Sequence, residues 1–218
     1  MDAASKHSGV LHAWLFVAVF AASASARPPL LWPWYMLLPL LAYAGLALSF
    51  PALRRTAPRL AMGRISGIPL ASAVGLSLAA TGVLVGFHAV SRPNVNGLAE
   101  GLPVAAFGNL LLAGICFSVM NAALEELIFR GVLWQVVAAE WNAGVALAVT
   151  TILFGWGHLH GYPPGTIGAM LAGIYGLALG ILRWWTGGLG LPVACHVCAD
   201  ATIFSIMLWS GAFGPPSE

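Results

Sequence analysis

Charge is what this chain lacks. Only 7% of its 218 residues are Asp, Glu, Lys or Arg, 60% are hydrophobic, and the mean hydropathy is +0.89. A water-soluble domain carries roughly 25% charged residues. So little polar surface cannot cover a globule in water, and the composition reads as an integral membrane protein. The net charge of +2 is small and scattered, which leaves no basic surface for nucleic acid. Cys116, Cys195 and Cys198 all lie in apolar stretches, so no secreted disulfide framework is implied. Internal repeats, low-complexity tracts and linkers are missing too, and residues 1–218 read as one domain.

What the chain does have is long apolar runs. About 20 apolar residues cross a bilayer as a helix. Such runs lie near 10–26, 31–50, 67–90, 104–139, 143–159, 166–183 and 189–210. They predict an all-α, polytopic transmembrane bundle of about seven to eight helices. The 104–139 run exceeds one ordinary span: it is either a long tilted helix or a helix broken near Gly114 or Asn121. Gly168, Gly173, Gly176 and Gly180 predict close helix packing. The first run has two readings. Lys6 and His7 ahead of an apolar core, with "ASASA" before Arg27, resemble a cleavable signal peptide; the preferred reading is an uncleaved first helix. Arg54, Arg55, Arg59 and Arg64 cluster between the second and third runs, which predicts a cytoplasmic N-terminus, with Arg27 and Arg92 on the other side.

Of the seven acidic residues, Asp2, Glu100, Glu140 and Glu218 fall at termini or in predicted loops. Glu125, Glu126 and Asp200 lie inside apolar runs, and Arg130 joins them. A charge at mid-membrane costs at least ~2.5–3.5 kcal/mol, so each is a functional candidate. Glu126 and Arg130 stand i,i+4 with the acid first, the favoured order for a helical ion pair. Glu125 points about 100° away from Glu126. One arginine cannot easily serve both, so Glu125 needs another partner or a carboxyl altered by desolvation.

Histidines supply candidate partners. "FGWGHLHGYPPG" carries His158 and His160, and "GGLGLPVACHVCAD" carries His196 with Asp200 one turn on. His12 and His88 read as packed or interfacial side chains. "EWNAG" (140–144) predicts a turn between antiparallel helices. Glu125 and His158 both stand roughly 21–22 Å from that turn at 1.5 Å per residue, so they can face each other across the hairpin. His160 points to another face or sits in the following loop. His196 is too shallow if its helix begins at Leu189. An extended lead-in over residues 186–192, beside a polar cavity, would bring it deeper.

These residues form a pattern. "EELIFRG" resembles the EExxxR motif of the CPBP family, the CAAX proteases and bacteriocin-processing enzymes, also called Abi. "FGWGH", with Phe154 and His158, resembles its FxxxH motif. "HVCAD", with His196 and Asp200, resembles its HxxxN/D motif. "TGGLGLPVACH" is similar to the family's Gly-rich approach to that histidine. The resemblance covers about residues 105–210, which it implies are the catalytic core. It implies an intramembrane endopeptidase of the glutamate-dependent type. Glu125 would be the general base that activates a water held by His158. His196 and Asp200 would help stabilise the oxyanion, and Glu126 and Arg130 would support the site. Aspartate stands where the family often has asparagine, and it has no amide donor.

The resemblance favours a metal-free mechanism and no cofactor. A zinc site remains the alternative, since two histidines and two carboxylates are plausible ligands. Cys195 and Cys198 read as packing residues, on a different face of the helix from His196 and Asp200. Other classes compatible with intramembrane Glu, His and Asp are a proton-coupled transporter, although no repeated halves are visible, and a non-catalytic scaffold or immunity protein. The expected partners are the bilayer and a membrane-anchored peptide or protein substrate, such as a prenylated CAAX tail, a leader or a sorting tail. The small size leans toward an enzyme of the bacterial inner membrane.

Overall fold

In hydrocarbon every backbone N–H and C=O must find a partner within the protein, and a helix satisfies them all along its own length. The computed structural model, which describes residues 3–25, 31–104 and 108–213, is built accordingly. Every regular element among the described residues is helical: α1 (Ala3–Ala24), α2 (Trp34–Ser49), α3 (Pro51–Thr56), α4 (Gly67–Ser91), α5 (Asn96–Glu100), α6 (Leu110–Glu126), α7 (Trp134–Glu140), α8 (Ala143–Gly157), α9 (Gly165–Thr186) and α10 (Gly190–Trp209). Among these residues five helical stretches are long and apolar enough to cross a membrane, and two shorter apolar helices, Gly9–Ala24 and Trp34–Ser49, accompany them. Ile68, Leu78, Val90, Ile152 and Ile174 all face outward. An apolar exterior of this extent is a lipid-facing surface.

The long apolar run is a single rod from Leu110 to Glu140. It begins where Asn109 caps α6, accepting from Leu112 N at 2.7 Å. Neither Gly114 nor Asn121 breaks it. Gly114 instead gives room to a neighbour, because a Cβ there would lie 2.6 Å from the Phe204 ring. The irregularity falls later, in a π-helical turn over Leu127–Leu133 between α6 and α7. Such turns are rare and concentrate at functional sites.

The turn at 140–142 joins α7 to α8, with Asn142 accepting from Val145 N at 3.0 Å. α8 and α9 pack closely through small residues: a Cβ at Gly155 would lie 3.2 Å from Gly173 Cα. One at Gly176 would press on the Phe154 ring, and one at Gly180 on Leu147.

The extended lead-in over 186–192 is not formed. Gly187 takes a left-handed φ of 75°, which suits glycine, and α10 begins at Gly190. His196 therefore lies only roughly 9 Å along its helix. Its depth is achieved by sinking the whole turn. Leu189 N donates to Ala61 O, Gly190 N to Met62 O and Arg64 N to Thr186 O, each at 2.9 Å. Arg183 Nε donates to Arg130 O at 3.1 Å, which fixes the turn near the π segment rather than at the far end of α7. The turn can be buried because its backbone groups pair with residues 61–64.

Candidate active site

The π turn begins immediately after the paired acids, and the two point in different directions, as helical spacing predicts. Glu126 is fully buried. Its Oε1 accepts from Arg130 Nη1 at 2.7 Å and from His196 Nδ1 at 2.8 Å. Arg130 is held further by Gly176 O, at 3.0 Å from Nη2, and its guanidinium carbon lies 4.3 Å from the Phe154 ring centre. A buried ion pair is tolerable when further hydrogen bonds use its remaining capacity. Here His196 and Gly176 O supply two, while Glu126 Oε2 and Arg130 Nε stay buried without a partner. The pair ties α6, α9 and α10 together at one point.

Among the described residues Glu125 has no lysine or arginine partner. Its Oε1 accepts from Asn121 Nδ2 at 3.1 Å. Its Oε2 is buried without a hydrogen bond and lies 3.7 Å from both His158 Nε2 and His196 Nε2. That separation is too long for a direct hydrogen bond and short enough for one water to touch both groups. The hairpin geometry expected for Glu125 and His158 is therefore present.

The histidine tautomers follow from their other partners. His158 Nδ1 lies 2.7 Å from Phe154 O, an acceptor only, so Nδ1 carries a proton and Nε2 is the nitrogen that faces Glu125. His196 Nδ1 likewise donates to the Glu126 carboxylate, and its Nε2 faces Glu125 and, at 3.8 Å, Asp200 Oδ1. Phe154, 1% exposed, lies beneath this group, with its ring centre 4.4 Å from that of His158 and 5.7 Å from that of His196.

Glu125, Glu126, Arg130, Phe154, His158, His196 and Asp200 are thus brought together. His160 is exposed at the end of the 3-10 turn His158–His160, where it lines a cavity shared with Glu125 and Asp200. His12 bonds to Tyr43, Leu53 and Thr56, and His88 to Tyr162 and Ser210, so both are structural. Cys195 is buried with Sγ 3.4 Å from Ala73 O, and Cys198 is exposed. Among the described residues no group of three or more His, Cys, Asp or Glu is arranged to hold a metal ion.

Asn121 was not anticipated as a site residue. Its Nδ2 donates to Glu125 and, at 3.2 Å, to Asp200 Oδ2, while its Oδ1 accepts from Trp32 Nε1 at 3.1 Å. The signal was legible, because Asn121 stands i,i+4 before Glu125, the same spacing that pairs Glu126 with Arg130. Tyr175 was missed as well; its hydroxyl is buried without a partner and its ring stands edge-on to His196 at 6.1 Å.

Two of the cavities that reach this cluster differ in character. One, of about 200 Å³, is an apolar cleft lined by Leu76, Val83, Ile174 and Tyr175 of α4 and α9, and it reaches His158, His196 and Asp200. The other, of about 460 Å³, is more polar and runs past Trp32, Tyr35, Asn121 and His160 to Glu125 and Asp200.

Residues 107–202 match the family model described as "Type II CAAX prenyl endopeptidase Rce1-like". No curated protein and no solved structure matches the chain. The matched residues include all three motifs and every charged side chain of the cluster. Over that segment the chain is similar to the Rce1-like, type II CAAX prenyl endopeptidase family, a family of membrane proteases.

Proposed function

We propose that this protein is an intramembrane endopeptidase that hydrolyses a peptide bond in a membrane-anchored substrate, with Glu125 as the base and no metal. The observation that carries the reading is Glu125 Oε2, buried, unpartnered and 3.7 Å from two imidazole nitrogens. A water between Glu125 Oε2 and His158 Nε2 donates one hydrogen bond to each. Glu125 takes a proton as the water oxygen attacks the scissile carbonyl carbon. His196 carries both ring protons, with Nδ1–H held by Glu126 and Nε2–H directed at the oxyanion. Collapse of the tetrahedral species expels the amine, which takes the proton back from Glu125. Asp200 keeps His196 company as an acceptor, and Glu126 with Arg130 fixes the imidazole.

The apolar cleft between α4 and α9 supports a substrate with a lipid or strongly apolar group beside the scissile bond, and the polar cavity supports a route for water and product. Purified protein given an internally quenched, farnesylated CAAX peptide should cleave it, and chelators should not stop it. Cleavage abolished by a chelator and restored by zinc would replace the metal-free mechanism. Absence of cleavage of this peptide and of a geranylgeranylated one would remove prenylated tails as the substrate class.

The arginine cluster of residues 54–64 supports a cytoplasmic N-terminus in a bacterial inner membrane. In a cysteine-free background, Arg59→Cys should resist a membrane-impermeant maleimide added to intact cells. Labelling there would reverse the orientation.

A further inference from the structure

Asn121 has three partners that together leave its amide one orientation. The Trp32 indole N–H can only donate, so it must meet Oδ1; the two carboxylates accept, so they must meet Nδ2. Both amide hydrogens are spent, one on Glu125 Oε1 and one on Asp200 Oδ2. Asn121 is 8% exposed and Trp32 9%, so both are largely buried although they border the polar cavity.

We propose that Asn121 is a positioning residue of the active site: its amide ties Glu125 to Asp200 and, by occupying Glu125 Oε1, leaves Oε2 as the oxygen aimed at the two histidines. Two like-charged carboxylates this close repel each other, and a shared donor between them offsets that repulsion. The arrangement also accounts for the third motif in this chain. Aspartate at position 200 brings no amide donor, and the amide that faces it comes instead from α6. Trp32 extends the device, since the residue that orients the amide lies outside the matched segment 107–202. The N-terminal part of the chain thereby sets the geometry of a site whose acids and histidines all come from the C-terminal part.

The consequence for catalysis rests on the protease reading, whereas the bridge itself does not, and the two are separable. Asp2 and Asp200 are the only aspartates in the sequence. Protein labelled with carbon-13 at the aspartate carboxyl therefore gives an infrared spectrum in which Asp200 is compared with a single other group. Asn121→Ala should shift the Asp200 band and leave the Asp2 band in place. With the farnesylated peptide, Asn121→Ala should lower kcat by about 10-fold or more at nearly constant KM, as expected when a charge-assisted hydrogen bond that orients a reacting group is lost. Trp32→Phe keeps the amide but frees it to turn, and should give the same two changes to a smaller degree. It also serves if Asn121→Ala does not fold. An unmoved Asp200 band in the folded variants would overturn the bridge. A loss confined to KM, or unchanged kcat, would overturn the positioning role. If the wild type cleaves no prenylated peptide, the protease reading fails on that substrate while the infrared shift still decides the bridge.

Discussion

His12 and His196 are both buried histidines on apolar helices, 1% and 3% exposed, and their surroundings differ in kind. His12 Nε2 donates to Leu53 O at 3.1 Å and lies 3.2 Å from Thr56 Oγ1. Its Nδ1 then accepts from the Tyr43 hydroxyl at 2.8 Å. Both nitrogens are used, every partner is neutral, and the group ties α1 to α2 and α3. His196 is bonded at one nitrogen only, and the other faces two carboxylates that it does not reach. Burial of a polar group is therefore compatible with pure structure when its hydrogen bonds close among neutral groups. A charged cluster that leaves an acceptor and an imidazole nitrogen unbonded is costly for stability, and that cost is what chemistry can use.

The comparison breaks most visibly at Glu125. Glu125→Gln keeps the shape and removes the base, so turnover of the farnesylated peptide should fall by roughly 10²–10⁴-fold. The melting temperature in detergent should stay near that of wild type, because no arginine or lysine is stranded. Substantial activity in that variant would end the claim that the open acceptor is the base. Arg130→Ala tests the closed half of the same cluster. It strands the fully buried Glu126 and should cost about 3–5 kcal/mol of stability, seen as loss of folded yield and a lowered melting temperature. A variant that expresses and melts like wild type would show that the pair is not structural.

His12→Phe sharpens the contrast from the other side. It leaves the Tyr43 hydroxyl without its buried partner, while Leu53 O keeps the Thr56 hydroxyl, and should cost about 1–3 kcal/mol of stability. Activity per folded molecule should be unchanged; a selective fall in kcat would tie this histidine to the chemistry after all. The smallest effect is expected when Cys195 and Cys198 are both changed to alanine. Cys195 points to α4 and Cys198 to the exterior, so activity should be largely retained. Metal analysis that finds about one zinc per wild-type chain, lost along with activity in the double variant, would bring both thiols into the site.

Much of the site could be read from spacing because a helix converts sequence separation into direction. Glu126 and Arg130 share a face at i,i+4, and the same geometry sends Glu125 elsewhere. Equal distance from the 140–144 turn placed Glu125 opposite His158, since two antiparallel helices rise at the same rate. Depth at His196 was harder to read. Glycines and a proline suggested an extended lead-in, but local flexibility does not say how far a turn can sink. That depends on residues 61–64, more than 120 positions earlier, supplying hydrogen-bond partners for it. The π turn was likewise hidden, because "LIFRGVL" has no local mark that distinguishes it from ordinary helix.

By itself the sequence determined the helical class, the apolar spans and the identity of the charged residues, because scarcity of charge and a fixed rise per residue are properties of the chain alone. It also determined which acid would be paired. Only the tertiary structure decided which oxygen of Glu125 is left open, which ring nitrogens carry protons, and that Trp32, Asn121 and Asp200 form one bridge. The bridge and the His196 contact depend on which donor meets which acceptor across 70 to 90 residues of sequence. The side-chain bonds of Glu125 to Asn121 and of His158 to Phe154 are local but depend on rotamers that packing selects. Hydrogen bonds are directional and saturable, so that pairing is settled only when the helices are docked.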